Sequence, residues 1–138
     1  MQGMTARQKL IDILEYKGNI VFAYLFGSQA RGYADHRSDW DIAVYFSESP
    51  EKKSEWQVFE LEAELSRAVG AVVQIISLNT SLPPLLGFEI IEEGQILTDK
   101  HEDVRLEVTA ALLRQYHDWQ YFQNRHLRDY SGNRKRTE

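Results

Sequence analysis

Six residues carry the chemistry open to this sequence. Gly27 and Ser28 stand together; after ten intervening residues Asp39 and Asp41 flank Trp40. Arg31 lies just behind the first pair, and Gln74 is the lone polar residue in a later apolar run. Asp39 and Asp41 are two apart at the start of a strand-like segment, so both side chains point to one face. Two ionised carboxylates that close repel each other, and a cation between them relieves the repulsion. Hard oxygen ligands in a small site suit Mg²⁺, which takes one or two carboxylates together with substrate phosphates. Taken alone, an Asp-x-Asp is also an ordinary strand-initial turn cap.

Gly27 and Ser28 add the complementary half. A glycine leaving a buried strand lets the backbone come close to another group. If Ser28 to Arg31 open a short helix, their N–H groups and the positive helix end favour an anion. The Ser28 hydroxyl can hold a phosphate oxygen, and Arg31 is a permanent cation. A lone Gly-Ser is an ordinary turn, but here it ends one apolar strand while Asp-x-Asp opens the next. Phosphate donors and metal ligands then lie side by side, as metal-assisted transfer of a nucleotidyl group from a nucleoside triphosphate requires.

The elements that position these residues can be read along the chain. Thr5 to Lys17 has a capping threonine, an apolar stripe of Leu10, Ile11, Ile13 and Leu14, and Gly18 at the C′ position, which predicts a helix. Ile20 to Phe26 is uncharged and rich in β-branched and aromatic residues, which predicts a buried strand. Tyr33 to Ser38 reads as a loop and Trp40 to Phe46 as the second strand, which Pro50 breaks off. Ser54 to Val69 is a helix closed by Gly70, and Ala71 to Leu78 is a third strand. A turn at Leu82 to Leu85 leads into a short helix through Glu93. Gly94 ends it, and Gln95 to Thr98 is a short fourth strand. Glu102 to Leu127 is a long helical pattern whose aromatics, Tyr116, Trp119, Tyr121 and Phe122, read as core or interface packing. Helices alternate with strands, so the fold class is α+β, a sheet with helices packed on it.

Composition limits the alternatives. The chain has 138 residues, enough for one domain, with 43% hydrophobic residues to build a core. Residues 1–128 read as that single domain and 129–138 as a basic, flexible tail. There is no cysteine, which excludes disulfides, thiolate zinc sites and cysteine nucleophiles. The longest apolar run is too short to cross a bilayer, which takes about 20 residues. With no signal-peptide pattern at the N-terminus, a cytoplasmic location is expected. The net charge of −5 argues against direct nucleic-acid binding. That charge is uneven: six glutamates against two lysines between Glu48 and Glu64, then five Lys or Arg against two acids from Arg125 to Glu138. The first reads as a solvated helix face. The second reads as a frayed tail or as a dock for a partner or a phosphate.

The combined string, Gly27-Ser28-Gln29-Ala30-Arg31-Gly32 followed by Ser38-Asp39-Trp40-Asp41-Ile42-Ala43-Val44, resembles the signature of the polymerase-β-type nucleotidyltransferase superfamily. It is most similar to the minimal nucleotidyltransferases of bacteria and archaea. The resemblance runs from the first helix to about Asp99, including Val72 to Leu78 and the Glu92-Glu93-Gly94-x-x-Leu97 segment. It implies a two-layer mixed sheet with helices on one side, plus the long C-terminal helix. It implies that Gly27 and Ser28 bind the triphosphate of ATP, and that Asp39 and Asp41 bind two Mg²⁺ ions. It also implies a biology. Many members of this size are antitoxins of a HEPN-domain RNase toxin and transfer AMP to a tyrosine of that toxin, silencing it.

One position departs from the family pattern. The third strand there commonly carries a carboxylate that acts as base for the attacking hydroxyl and as a metal ligand. Gln74 stands in its place, and glutamine cannot accept a proton at neutral pH. Positioning and metal charge supply most of phosphoryl-type catalysis, so the enzyme reading survives, with Asp35 or the partner as another source of the base. The alternative is an antitoxin that neutralises its toxin by binding alone. A transferase acting on a small molecule would need an acceptor-binding domain for which this chain has no room. Tyr33 is a base-stacking candidate or a surface turn residue, and His36 lies in the loop between the motifs. His101, His117 and His126 show no ligand spacing.

Overall fold

The computed structural model describes residues 4–32, 39–47 and 54–136, with no side-chain description for 54 or 128–136. Tyr33, Asp35, His36 and Pro50 lie outside the described residues. Among the described residues nine elements follow in chain order: α1 (Ala6–Tyr16), β1 (Ile20–Phe26), α2 (Ser28–Arg31), β2 (Trp40–Phe46), α3 (Ser54–Val69), β3 (Val73–Ser77), α4 (Pro84–Glu93), β4 (Gln95–Asp99) and α5 (Glu102–Arg136).

Local chemistry sets most of these boundaries. Thr5 caps α1, its hydroxyl accepting from the Gln8 N–H at 3.1 Å. Gly70 closes α3 at φ +68°. Gly18 does not act as a left-handed cap; α1 ends on Lys17 in extended backbone, its N–H donating to Ile13 O. The fifth helix runs on to Arg136, past the Leu127 where its aromatic pattern ends.

The four strands form one sheet in the order β3-β2-β1-β4. β1 is antiparallel to β2 and β4, while β2 and β3 are parallel, so the sheet is mixed. All seven residues of β1 are buried. A central strand with no exposed face needs cover on both sides, and it has it. On one face Leu10 and Leu14 of α1 and Leu61 and Leu65 of α3 pack against Ala23, Leu25, Ile42 and Val44. On the other, Ile90 of α4 and Leu112 of α5 pack against Phe22, Tyr24, Phe26 and Ala43. The α+β class, mixed sheet and long last helix are as expected, but the sheet is the middle of three layers, not one of two with helices on a single side.

Side-chain ties fix the edges. The Asn79 amide accepts from Phe46 N and donates to Phe46 O, both at 2.8 Å, pinning the end of β2. Arg105 of α5 donates to Asp99 at 2.7 Å and to the Tyr24 hydroxyl at 3.4 Å, fastening the last helix to β4 and β1. Phe88 of α4 stacks on Tyr116 of α5 with ring centroids 4.0 Å apart. Further along α5, Tyr121, Phe122 and Leu127 are exposed. Among the described residues no helix is long and apolar enough to cross a membrane.

Candidate active site

The sheet register brings the separated motifs together. Phe26 pairs with Asp41 across β1 and β2, and Asp41 pairs with Gln74 across β2 and β3. The exit of β1, the entry of β2 and the start of β3 therefore form one rim. Trp40 packs toward the α1/α3 core, so strand alternation turns its neighbours Asp39 and Asp41 to the opposite face. Ala43 lies on that face too, against α4 and α5.

Gly27 is buried at the turn, with φ +75° and ψ −157°. A β-carbon there would run into Asp41 Oδ2 and lie 3.2 Å from its Cγ. Glycine is thus required both by the left-handed φ and by the carboxylate against its backbone. Ser28 is half-buried as the first residue of α2. Asp39 is exposed and Asp41 half-buried. Burial raises the Asp41 carboxyl above its ordinary value, the Asp39 charge raises it further, and the Arg31 guanidinium opposes both. Asp41 thus sits between a like charge and a cation, where an added cation would favour its ionised form. Arg31 also reaches Glu93 Oε1 at 3.6 Å.

Gln74 is exposed, and its Nε2 donates to Asp39 Oδ2 at 3.5 Å. It shares the rim with the two aspartates, as its place in an apolar strand implies. Among the described residues no group of three His, Cys, Asp or Glu gathers around one point. The oxygen set is two carboxylates and the Gln74 amide, which suits an ion that completes its shell from water and phosphate. His117 and His126 lie along α5, and His101 follows β4 at the end remote from Gln95. A cavity of about 500 Å³ between Tyr45, Leu78, Asn79, Val108 and Leu112 lies at the far end of β2.

Three residues of this region were not legible in the spacing. Glu93, Gln95 and Arg7 all touch α2 or each other, yet each lies far along the chain from α2. The sequence marks Glu93 and Gly94 as a helix end, and only the family resemblance ties the Glu92-Glu93-Gly94 segment to the site.

The family model described as "Polymerase beta, Nucleotidyltransferase" matches residues 8–103, which span α1 through the start of α5. The chain belongs to this nucleotidyltransferase family. A Methanocaldococcus jannaschii protein named "Putative protein adenylyltransferase" is 37% identical over 88 residues, 64% of this chain and 89% of that one. Among solved structures, a toxin–antitoxin crystal structure with AMP-PNP has a chain with a TM-score of 0.70 and 24% identity, covering 91% of this nucleotidyltransferase and 98% of its own length. A chain in the complex of a tri-AMPylated Shewanella oneidensis HEPN toxin with its MNT antitoxin matches at TM-score 0.65 and 22% identity, covering 91% and 96%. These solved structures share the fold of this nucleotidyltransferase.

Proposed function

We propose that this nucleotidyltransferase is an antitoxin that transfers AMP from ATP to a hydroxyl, a tyrosine, of a HEPN-class RNase toxin and so silences it in the cytoplasm. The observation that carries the reading is the packing of the Gly27 backbone directly against the Asp41 carboxylate, which joins a phosphate turn to a pair of metal ligands. The named activity of the archaeal relative and the HEPN partner of the structural neighbour support the acceptor.

In this reading the Gly27–Ser28 turn and Arg31 hold the triphosphate. Asp39 and Asp41 would hold two Mg²⁺ ions, which when bound would supply positive charge to the phosphates. The acceptor oxygen forms a bond to the α-phosphorus as the bond from that phosphorus to the bridging oxygen breaks. AMP stays on the acceptor, pyrophosphate leaves, and the hydroxyl proton goes to solvent or to a base brought by the partner. Gln74 orients Asp39 through its amide N–H and takes no proton.

The test is incubation of the purified protein with ATP, Mg²⁺ and the HEPN protein encoded beside it. We expect a mass gain of one or more AMP units on the toxin, reduced by about 10³-fold or more in Asp39→Asn and in Asp41→Asn. An intact complex without any mass gain would instead establish neutralisation by binding alone. The neutral Gln74 beside Asp39 is the observation that favours this second reading.

A further inference from the structure

The phosphate turn is followed by only four helical residues, and no side chain caps their start. One isolated turn of helix has no stability of its own, so the position of Ser28 and Arg31 depends on what holds α2 from outside. The hold comes from the α4–β4 junction. Gln95, the first residue of β4, pairs with Leu25 near the end of β1. Its Nε2 donates to Ala30 O of α2 at 2.9 Å. Its Oε1 accepts from Arg7 Nη1 on α1. Because Arg7 can only donate, it claims the amide oxygen and turns the NH₂ group toward Ala30. One step earlier in the chain than Gly94, Glu93 faces Arg31. Two side chains, from positions 93 and 95, thus tie consecutive residues of the same helical turn.

We infer that Gln95, oriented by Arg7, is a positioning residue for the phosphate turn: it sets where α2 presents Ser28 and Arg31 to the triphosphate. This rests on the nucleotidyl-transfer reading above. The hydrogen bonds of Gln95 run to Ala30 and Arg7 and not to the aspartates, so its influence falls first on the nucleotide and reaches Asp41 only through the Arg31 charge. Losing one hydrogen bond of this kind lowers affinity by about tenfold.

The test uses the full chain and two variants, Gln95→Met, which keeps the side chain's length, and Arg7→Ala, on an exposed side chain outside the phosphate turn. Affinity for ATP with Mg²⁺ is measured by calorimetric titration, and affinity for Mn²⁺ alone by electron paramagnetic resonance. Gln95→Met should bind ATP about tenfold more weakly, and Arg7→Ala about threefold. Both should keep the wild-type Mn²⁺ affinity, and the KM for ATP should rise more than kcat falls. A purely structural role would lower both affinities together, or neither, and overturns the inference; so does ATP binding within twofold of wild type in both variants. Where Gln95→Met does not fold, Arg7→Ala decides by the same two affinities. Wild-type protein that binds no ATP sinks the nucleotidyl-transfer reading itself, and the inference with it.

Discussion

The carboxylate of Asp41 fills the space that a side chain on Gly27 would need. The contact joins the end of one strand to the beginning of its antiparallel neighbour.

Gly27→Ala meets two penalties. A β-carbon is strained at φ +75° and collides with Asp41. Strain of this kind costs about 2 kcal/mol, equivalent to a fall in Tm of roughly 5–10 °C in a domain of this size. Circular-dichroism melting reads the stability. AMP transfer to the toxin should drop by more than the stability loss explains, because the displaced group is Asp41 itself.

Asp41 also gives the apoprotein a pH signature. Its carboxyl is raised above the ordinary 3.8, first by burial and then by Asp39. The folded state therefore keeps this proton to higher pH than the unfolded state does. Stability from this group falls as pH rises from the ordinary value through the raised one, and levels off above it. Asp41→Asn should melt above wild type at pH 7 without Mg²⁺, with the difference closing near pH 4. Mg²⁺ at about 100 times its Kd should add about 2.7 kcal/mol to the wild type and almost none to the variant.

Gln74→Glu restores a carboxylate beside Asp39. General-base assistance is worth about 10²–10⁴-fold, and we expect a gain in AMP transfer of at least about tenfold at pH 7. The rate should also become less steeply dependent on pH than in wild type. In the absence of Mg²⁺ the same change replaces the hydrogen bond to Asp39 with a repulsion, so Tm should fall. Unchanged transfer with a normal complex would show that residue 74 is not where a base is needed.

Asn79→Ala serves as a control at the other end of β2. It removes two 2.8 Å hydrogen bonds to the backbone of Phe46, at a cost of about 2 kcal/mol. Denaturant unfolding should register that loss while kcat and KM for ATP stay at wild-type values.

The parts of the site that were legible in the sequence are those set by short-range rules. The charge-free run of β1, the glycine at its exit and the i, i+2 aspartates each follow from strand alternation and turn chemistry. The polar Gln74 in an apolar strand was enough to place it on the same rim. The layer count was not legible, because burial of β1 on both faces depends on where α4 and α5 return. The hold on α2 was not legible either: Gln95 and Ala30 are 65 residues apart, and neither residue type announces a partner. Gly18 misled for a local reason. It does stand at C′, directly after the Lys17 C-cap, but Lys17 already leaves the helix in extended backbone, so Gly18 takes no left-handed conformation.

The distance along the chain between Gln95 and the turn it steadies bears on synthesis. A nascent chain emerging only through β3 already carries the phosphate turn and both aspartates, but not the strand that begins at Gln95. On the proposed reading, such a chain on the ribosome would have the ligands for a cation without a settled grip on a nucleotide. On that reading competence for chemistry would arrive with the fourth strand, which would separate a finished enzyme from a fragment of one.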